Sequence, residues 1–188
     1  MPLFGTTRAS STPGRAAACL ALLLLTAGCA SSPTGPAPGH AIKAVGPASK
    51  GTIGVTGAAV GNQYGFAFPI LENDSTVPIT ITGYKTTNIP SGLKVIGYSV
   101  YSQNETTEYR LAYNFRPKET DFNLTKYHDY AGTPFTINPG KQGDQYAMVK
   151  VEVVGTATDH ASGCQVDYTQ SGKQYVQTVP CDFAVSKN

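Results

Sequence analysis

From Gly51 onward, apolar residues recur at every second position in short runs that end at Gly, Pro, Asn or Asp. The clearest run alternates Tyr109, Leu111 and Tyr113 with polar neighbours. A period of two is typical of a β-strand with one buried face, and no stretch shows the 3.6-residue period of an amphipathic helix. Eight or nine such runs in residues 51–188 predict an all-β domain.

An immunoglobulin-like antiparallel β-sandwich of seven to nine strands is the architecture we predict for these residues, and a closed barrel is the alternative. The composition agrees, because 20 Gly and 13 Pro supply turns while only 14% of the residues are charged. That balance suits neither a coiled coil nor a disordered acidic tail.

The chain begins with the three-part plan of a secretory signal peptide, which we assign to residues 1–28. Residues 1–15 carry two arginines and no acid, and residues 16–27 are apolar or small. Twelve residues span only about 18 Å as a helix, too short for a membrane core of roughly 30 Å. The segment is therefore expected to direct export rather than to remain as a transmembrane helix.

The sequence Leu25-Thr-Ala-Gly-Cys29 resembles the lipobox of bacterial lipoproteins, with Thr26 where an aliphatic residue is usual. The resemblance implies cleavage after Gly28 and acyl chains on the Cys29 sulfur. The protein would then be lipid-anchored at the extracytoplasmic face of the cell membrane. Two or three acyl chains give stable anchoring, because each methylene buried in the bilayer contributes about 0.8 kcal/mol of binding free energy. Ordinary secretion with cleavage nearby is the alternative.

Residues 29–50 carry several prolines and glycines among small polar residues and show no apolar period. This composition predicts a flexible, disordered tether between the lipid and the domain. About twenty residues of this kind reach up to roughly 65 Å when stretched. The domain itself is therefore assigned to residues 51–188.

Two parts of the domain combine an apolar strand, a turn and a second strand. The first part joins Phe66–Ser75 to Ile79–Gly83, and the second is Cys164–Gly172 with the strand that follows. Both are similar to segments of small exported proteins of actinobacteria, often lipoproteins, that are known only as immunoglobulin-like or uncharacterised. The resemblance implies a fold and an envelope location, and it brings no functional residues with it.

The charge distribution argues against nucleic acid as a partner. All 12 acidic residues lie after position 28, and only Arg8 and Arg15 of the 14 basic residues precede it. The chain after position 28 therefore balances 12 basic against 12 acidic side chains, without the basic excess that binds phosphate backbones.

No residue set in the sequence predicts an enzyme, a metal site or a cofactor. The nearest approach to a catalytic triad is Asp159 and His160 with Ser162, but adjacent strand residues point to opposite faces and cannot orient each other. A metal site would need His128, Asp129 and His160 to converge from distant parts of the chain, and we do not expect one.

Two tyrosines are the candidate binding residues. Tyr127 and Tyr130 lie in residues 117–132, the longest irregular segment, where their rings could stack on a sugar or on a partner protein. The alternative is that they fill the sandwich and anchor the loop.

Cys164 and Cys181 are predicted to form a disulfide. Cys19 leaves with the signal peptide and Cys29 takes the lipid, so these two thiols remain in an oxidising compartment. A two-residue turn at Gly172-Lys173 would place them opposite each other in a hairpin, and Pro180, which has no N–H, then predicts a bulge or an edge strand.

These observations predict a membrane-anchored extracytoplasmic lipoprotein that is not an enzyme. Its β-sandwich is expected to bind an envelope protein or a cell-wall glycan through its loops, while the membrane is a partner through the lipid on Cys29. The alternative function is an accessory or structural subunit of an envelope complex, with no ligand of its own.

Overall fold

The structure is a computed structural model that describes residues 35–107, 109–115, 123–157 and 159–187. Twelve β-strands lie within these ranges, and the all-β prediction is confirmed. The strand count exceeds the predicted seven to nine because β1 and β2 lie in the segment predicted as a tether, and β5 lies between Pro69 and the turn residues that follow Asn73. The elements are β1 (Ala37–Pro38), β2 (Ile42–Val45), β3 (Thr52–Val55), β4 (Gln63–Ala67), β5 (Ile70–Asn73), β6 (Ile79–Asn88), β7 (Leu93–Ser102), α1 (Gln103–Thr106), β8 (Ala112–Asn114), β9 (Phe135–Ile137), β10 (Gln145–Val153), β11 (Ala161–Gln170) and β12 (Lys173–Val185), with 3₁₀ turns at Pro47–Ser49 and Leu124–Lys126.

Two sheets pack against each other as a sandwich. The larger sheet has the order β1-β12-β11-β6-β9, with β3 also paired to β12, and the smaller has the order β7-β10-β4-β8. In an immunoglobulin domain, strands B, E and D share one sheet while C, F and G share the other. In this protein β4, β10 and β7 correspond to strands B, E and D. Strands β6, β11 and β12 correspond to strands C, F and G. The sandwich is therefore immunoglobulin-like in its central strands, while β2 and β5 form a separate pair.

The core between the sheets is built on phenylalanines. Phe66 on β4 and Phe183 on β12 are fully buried, and their rings stack across the sandwich with centroids 5.3 Å apart. Phe68 joins them, with its ring centroid 6.4 Å from that of Phe183. Each buried ring contributes about 1.5–3 kcal/mol relative to an exposed one, so this contact ties the two sheets together.

Strand β10 is buried on both faces. Its inward residues, from Ala147 to Val153 at every second position, are at most 4% exposed, as the alternation predicts. On the other face, Tyr146 and Met148 are also buried, together with Leu124 from the 3₁₀ turn. The loop that contains Leu124 therefore covers the outer face of the smaller sheet and gives the domain a second core.

Residues 35–50 belong to the sandwich, so the flexible tether predicted for residues 29–50 is wrong for that part. Strand β1 pairs with β12, and β2 pairs with β5. The Ala41 N–H donates to the Tyr168 hydroxyl at 3.2 Å, and Gly39 lies so close to that ring that a Cβ would stand 2.2 Å from its oxygen. Backbone pairing and close packing hold this segment, and neither requires an apolar period. The earlier part of the predicted tether, like the signal peptide, lies outside the described residues.

The hairpin of β11 and β12 turns at Ser171 and Gly172, one residue earlier than the predicted turn. Both residues have positive φ, 50° and 76°, and Gln170 pairs with Lys173. Positive φ at both central positions is the conformation of a type I′ turn, which matches the twist of the strands. The sequence prediction failed here because a serine seldom adopts positive φ.

Cys164 and Cys181 form the predicted disulfide, with their Cα atoms 5.8 Å apart. Their register differs from the prediction, because Cys164 pairs with Val179 and Gly163 stands against both Pro180 and Cys181. This is a β-bulge, one of the two features expected at Pro180.

Candidate functional site

A cleft lined by three tyrosines lies between β6 of the larger sheet and β7 of the smaller sheet. It encloses about 80 Å³, and residues 130–133 in the loop before β9 form one of its walls. Its principal lining residues are Ile81, Tyr84, Tyr98, Val100, Tyr130 and Phe135.

Asp129 fixes the loop that closes this cleft. Its carboxylate accepts hydrogen bonds from the Ser99 hydroxyl at 2.5 Å, the Val100 N–H at 2.9 Å and the Ala131 N–H at 3.0 Å. The Tyr130 N–H in turn donates to the Val100 carbonyl at 2.8 Å. An aspartate that accepts from the backbone two residues onward stabilises a turn, so the sequence itself favours this local shape. The loop is thereby held to β7, an edge strand of the smaller sheet.

Tyr130 is the predicted binding residue that lines the cleft. Its ring is half-buried and meets the His128 ring edge-on, with centroids 4.4 Å apart. Its hydroxyl donates to the carboxylate of Glu105, and this hydrogen bond raises the pKa of Tyr130. The ring is therefore held in place, as stacking on a ligand requires.

The hydroxyls of Tyr84 and Tyr98 differ in their partners. The Tyr98 hydroxyl accepts a hydrogen bond from the Thr86 N–H at 2.7 Å. The Tyr84 hydroxyl is buried and has no hydrogen-bond partner in the part of the chain that the structure describes. Burial raises the pKa of Tyr84, so this hydroxyl keeps its proton and remains a donor. A buried donor without a partner costs about 1–3 kcal/mol, which a ligand's acceptor atom would recover.

Sequence reasoning missed Tyr84 because of a bulge in β6. Strict alternation from Ile79 and Ile81 places Tyr84 on the outer face of the larger sheet. The register between β6 and β11 shifts after Ile81, so that Tyr84 pairs with Val166, which is fully buried. The shift turns the Tyr84 side chain inward, and nothing in the local spacing indicates it.

Tyr127 lies elsewhere. Its ring is half-buried and packs against the second core, with Tyr101, Tyr146 and neighbouring residues, and it does not line the cleft. The structure therefore does not bring Tyr127 and Tyr130 together in one site. Part of the predicted binding segment, residues 117–122, lies outside the described residues.

His160, considered above with Asp159 and Ser162 as a possible triad, has its ring against the carboxylate of Asp182 and not that of Asp159. The His160 Nδ1 atom lies 2.8 Å from Asp182 Oδ1, and the Thr52 hydroxyl donates to the same carboxylate. Asp159 instead accepts from the His160 N–H at 2.8 Å. The ring of His160 is about half exposed, and its neighbour Ser162 pairs with Asn88. Asp182 reaches His160 from β12, a pairing that only the fold creates.

Two further points of the sequence analysis concern metal binding and the membrane. Among the described residues, no group of three or more His, Cys, Asp and Glu side chains is placed to hold a metal ion. The same residues include no helix that is both long and apolar enough to cross a membrane. Cys29 lies outside the described residues, so its acylation stays a prediction.

Two other cavities lie at opposite ends of β12. One, of about 150 Å³, is lined by Val60, Val153 and Val185 among other small residues, and Val60 is 72% exposed. The other, of about 300 Å³, is shallow and lies beside the β11–β12 turn, where His40 and Tyr175 line it.

Comparison with known proteins gives little beyond this geometry. No family model matches the chain, and no curated protein sequence matches it. One solved structure, that of the Vibrio cholerae VesB protease, matches at 13% identity with a TM-score of 0.32. The match covers 70% of this chain and 29% of that one, so this chain spans under a third of the neighbour's length. A likeness of this size carries no argument about activity.

Proposed function

We propose that this protein is a lipid-anchored extracytoplasmic lipoprotein whose sandwich binds a cell-wall glycan in the tyrosine cleft, without catalysing a reaction. The observation that carries the binding part is the Tyr84 hydroxyl, a buried donor that lacks a partner among the described residues and belongs to a residue lining an open cavity. The anchoring part rests on the lipobox-like sequence before Cys29.

The chemistry of the cleft favours an N-acetylated sugar. The apolar side chains of Ile81, Val100 and Phe135 suit a methyl group, and a space of about 80 Å³ admits a small substituent rather than a whole sugar ring. The amide oxygen of an acetamido group would accept a hydrogen bond from Tyr84. The half-buried ring of Tyr130 would then pack against the sugar face outside the cleft.

Binding of purified peptidoglycan fragments and of N-acetylated oligosaccharides tests the proposal. Tyr84→Phe removes one hydroxyl and keeps the ring, so we expect about 5-fold or more weaker binding from the lost hydrogen bond. Tyr175→Phe makes the same change outside the cleft and should leave affinity unchanged. Equal affinity in both variants would contradict the assigned site, whereas no binding by the wild type would favour the accessory-subunit alternative.

The anchor has its own test. Cys29→Ser should abolish metabolic labelling with a fatty acid and release the protein from the membrane fraction, because the hydroxyl cannot form the thioether. A Cys29→Ser protein that stays equally membrane-bound would show that the lipid is not what anchors it.

A further inference from the structure

The chain enters the sandwich at one end, beside the β11–β12 turn. Strand β1 runs parallel to β12, with Ala37 next to Tyr175, only a few residues from the turn at Ser171 and Gly172. Because the two strands run in the same direction, the residues just before Ala37 lie toward the turn rather than toward the far end. The far end of β12 is Val185, ten residues beyond Tyr175, or roughly 33 Å along the strand.

The entry segment is fixed to the sheet. The Gly39 N–H donates to the Val176 carbonyl at 2.8 Å, and the side chain of Gln177 bonds both the N–H and the carbonyl of Ile42. With Ala41 held by the Tyr168 hydroxyl, the segment has contacts along its whole path over β12. It therefore adds no free length to a tether that begins at Cys29.

The remaining link is short. Between Cys29 and Gly35 stand five residues, Ala30 to Thr34. Six peptide steps span at most about 21 Å, compared with the roughly 65 Å of a tether that continued to residue 50. This maximum is shorter than the separation between Tyr175 and Val185.

We propose that the sandwich stands on the membrane with its β11–β12 turn against the phospholipid headgroups. The inference rests on the proposed acylation of Cys29. The surface that meets the headgroups includes His40 and Tyr175, which line the shallow cavity at the turn, and Lys173, which is exposed at the start of β12. A partly exposed tyrosine suits that layer, since its ring is apolar and its hydroxyl is polar. The cavity at Val60 and Val185 then faces away from the membrane.

The short link, and not charge, would hold this orientation. The side chains after position 28 balance 12 basic against 12 acidic residues, so the unacylated domain has no net attraction to an anionic surface. We therefore expect the Cys29→Ser protein to bind neither neutral nor anionic phospholipid vesicles.

Tryptophan fluorescence can measure the distance of one chosen position from the membrane, because the chain contains no tryptophan of its own. The acylated protein is placed in phosphatidylcholine–phosphatidylglycerol vesicles that carry a headgroup-level quencher, with a single reporter from Tyr175→Trp or Val60→Trp. We expect about threefold or greater quenching at position 175 than at position 60, because Val60 lines one cavity with Val185, which lies roughly 33 Å along the strand from Tyr175. His40→Trp provides a second reporter at the same end if Tyr175→Trp fails to fold.

A longer link is the matched control. Insertion of about twenty Gly and Ser residues between Thr34 and Gly35 lengthens the link several-fold without changing the sandwich, and should lower quenching at position 175 toward that at position 60. Equal quenching at the two positions, in protein that floats with the vesicles, would overturn the orientation while leaving the anchor intact. Wild-type protein that carries no acyl chain and does not float would overturn the anchor and this inference with it.

Discussion

Cys164 is bonded to Cys181 although the residue that faces it across the strand pair is Val179. The bulge at Gly163 makes this possible, because two residues of β12, Pro180 and Cys181, occupy the space opposite one residue of β11. Pro180 also lies in this bulge, and it has no N–H to donate to a hydrogen bond between the strands. A disulfide at this point fixes the register of the longest hairpin in the described part of the chain.

Removal of this disulfide should lower the free energy of unfolding by about 3 kcal/mol, the chain-entropy value for a loop of this size. The test is urea unfolding of the Cys164→Ala, Cys181→Ala double variant. Wild-type protein in the presence of a reductant should show a similar loss, while the double variant should not respond to reductant. A variant as stable as the oxidised wild type would show that the bond constrains nothing.

Gly39→Ala tests whether the entry segment is packed against the sheet. An added Cβ would lie 2.2 Å from the Tyr168 hydroxyl oxygen, so we expect a loss of about 1–3 kcal/mol of stability from overpacking. Gly35→Ala is the matched control, because a Cβ there meets no atom within 4 Å and should change stability by less than about 0.5 kcal/mol. Thermal unfolding of both variants makes the comparison. If Gly39→Ala is as stable as Gly35→Ala, the segment is not docked as described.

Ser171→Asn tests the position of the hairpin turn. Asn-Gly is the preferred pair for a type I′ turn, and asparagine tolerates positive φ better than serine does. We expect a gain of about 0.5–1 kcal/mol in the free energy of unfolding, measured with urea. A turn at Gly172 and Lys173 would leave residue 171 in extended backbone, and asparagine would then give no gain.

Stability should fall at alkaline pH, in part because of Tyr84. Burial raises the pKa of Tyr84, so the folded state keeps this proton after the unfolded chain has lost it, above about pH 10. The contribution is therefore fully present below about pH 10 and declines by up to about 1.4 kcal/mol for each further pH unit. Urea unfolding at a series of pH values should show a shallower alkaline decline for Tyr84→Phe than for the wild type. Identical declines would mean that Tyr84 ionises equally well in the folded state.

The sequence predicts those features that depend on local pattern or on elimination. The alternation from Ala147 to Val153 correctly predicts which face of β10 lies between the sheets, and counting the cysteines correctly pairs Cys164 with Cys181. The sequence does not reveal the docking of residues 35–50, because their partners on β12 lie more than 130 residues away. The inward orientation of Tyr84 is not predictable for another reason, since a bulge reverses the alternation between Ile81 and the residues that follow.

Strand β12 has neighbours from both ends of the described chain. Its outer edge pairs with β1 and β3, which precede residue 56, and its inner edge pairs with β11. As the chain emerges from a ribosome or a translocation channel, β1 and β3 have no strand to join until residues 173–185 appear. The larger sheet can therefore close only late, which favours slow folding of high contact order and leaves that sheet incomplete until residues 173–185 have emerged.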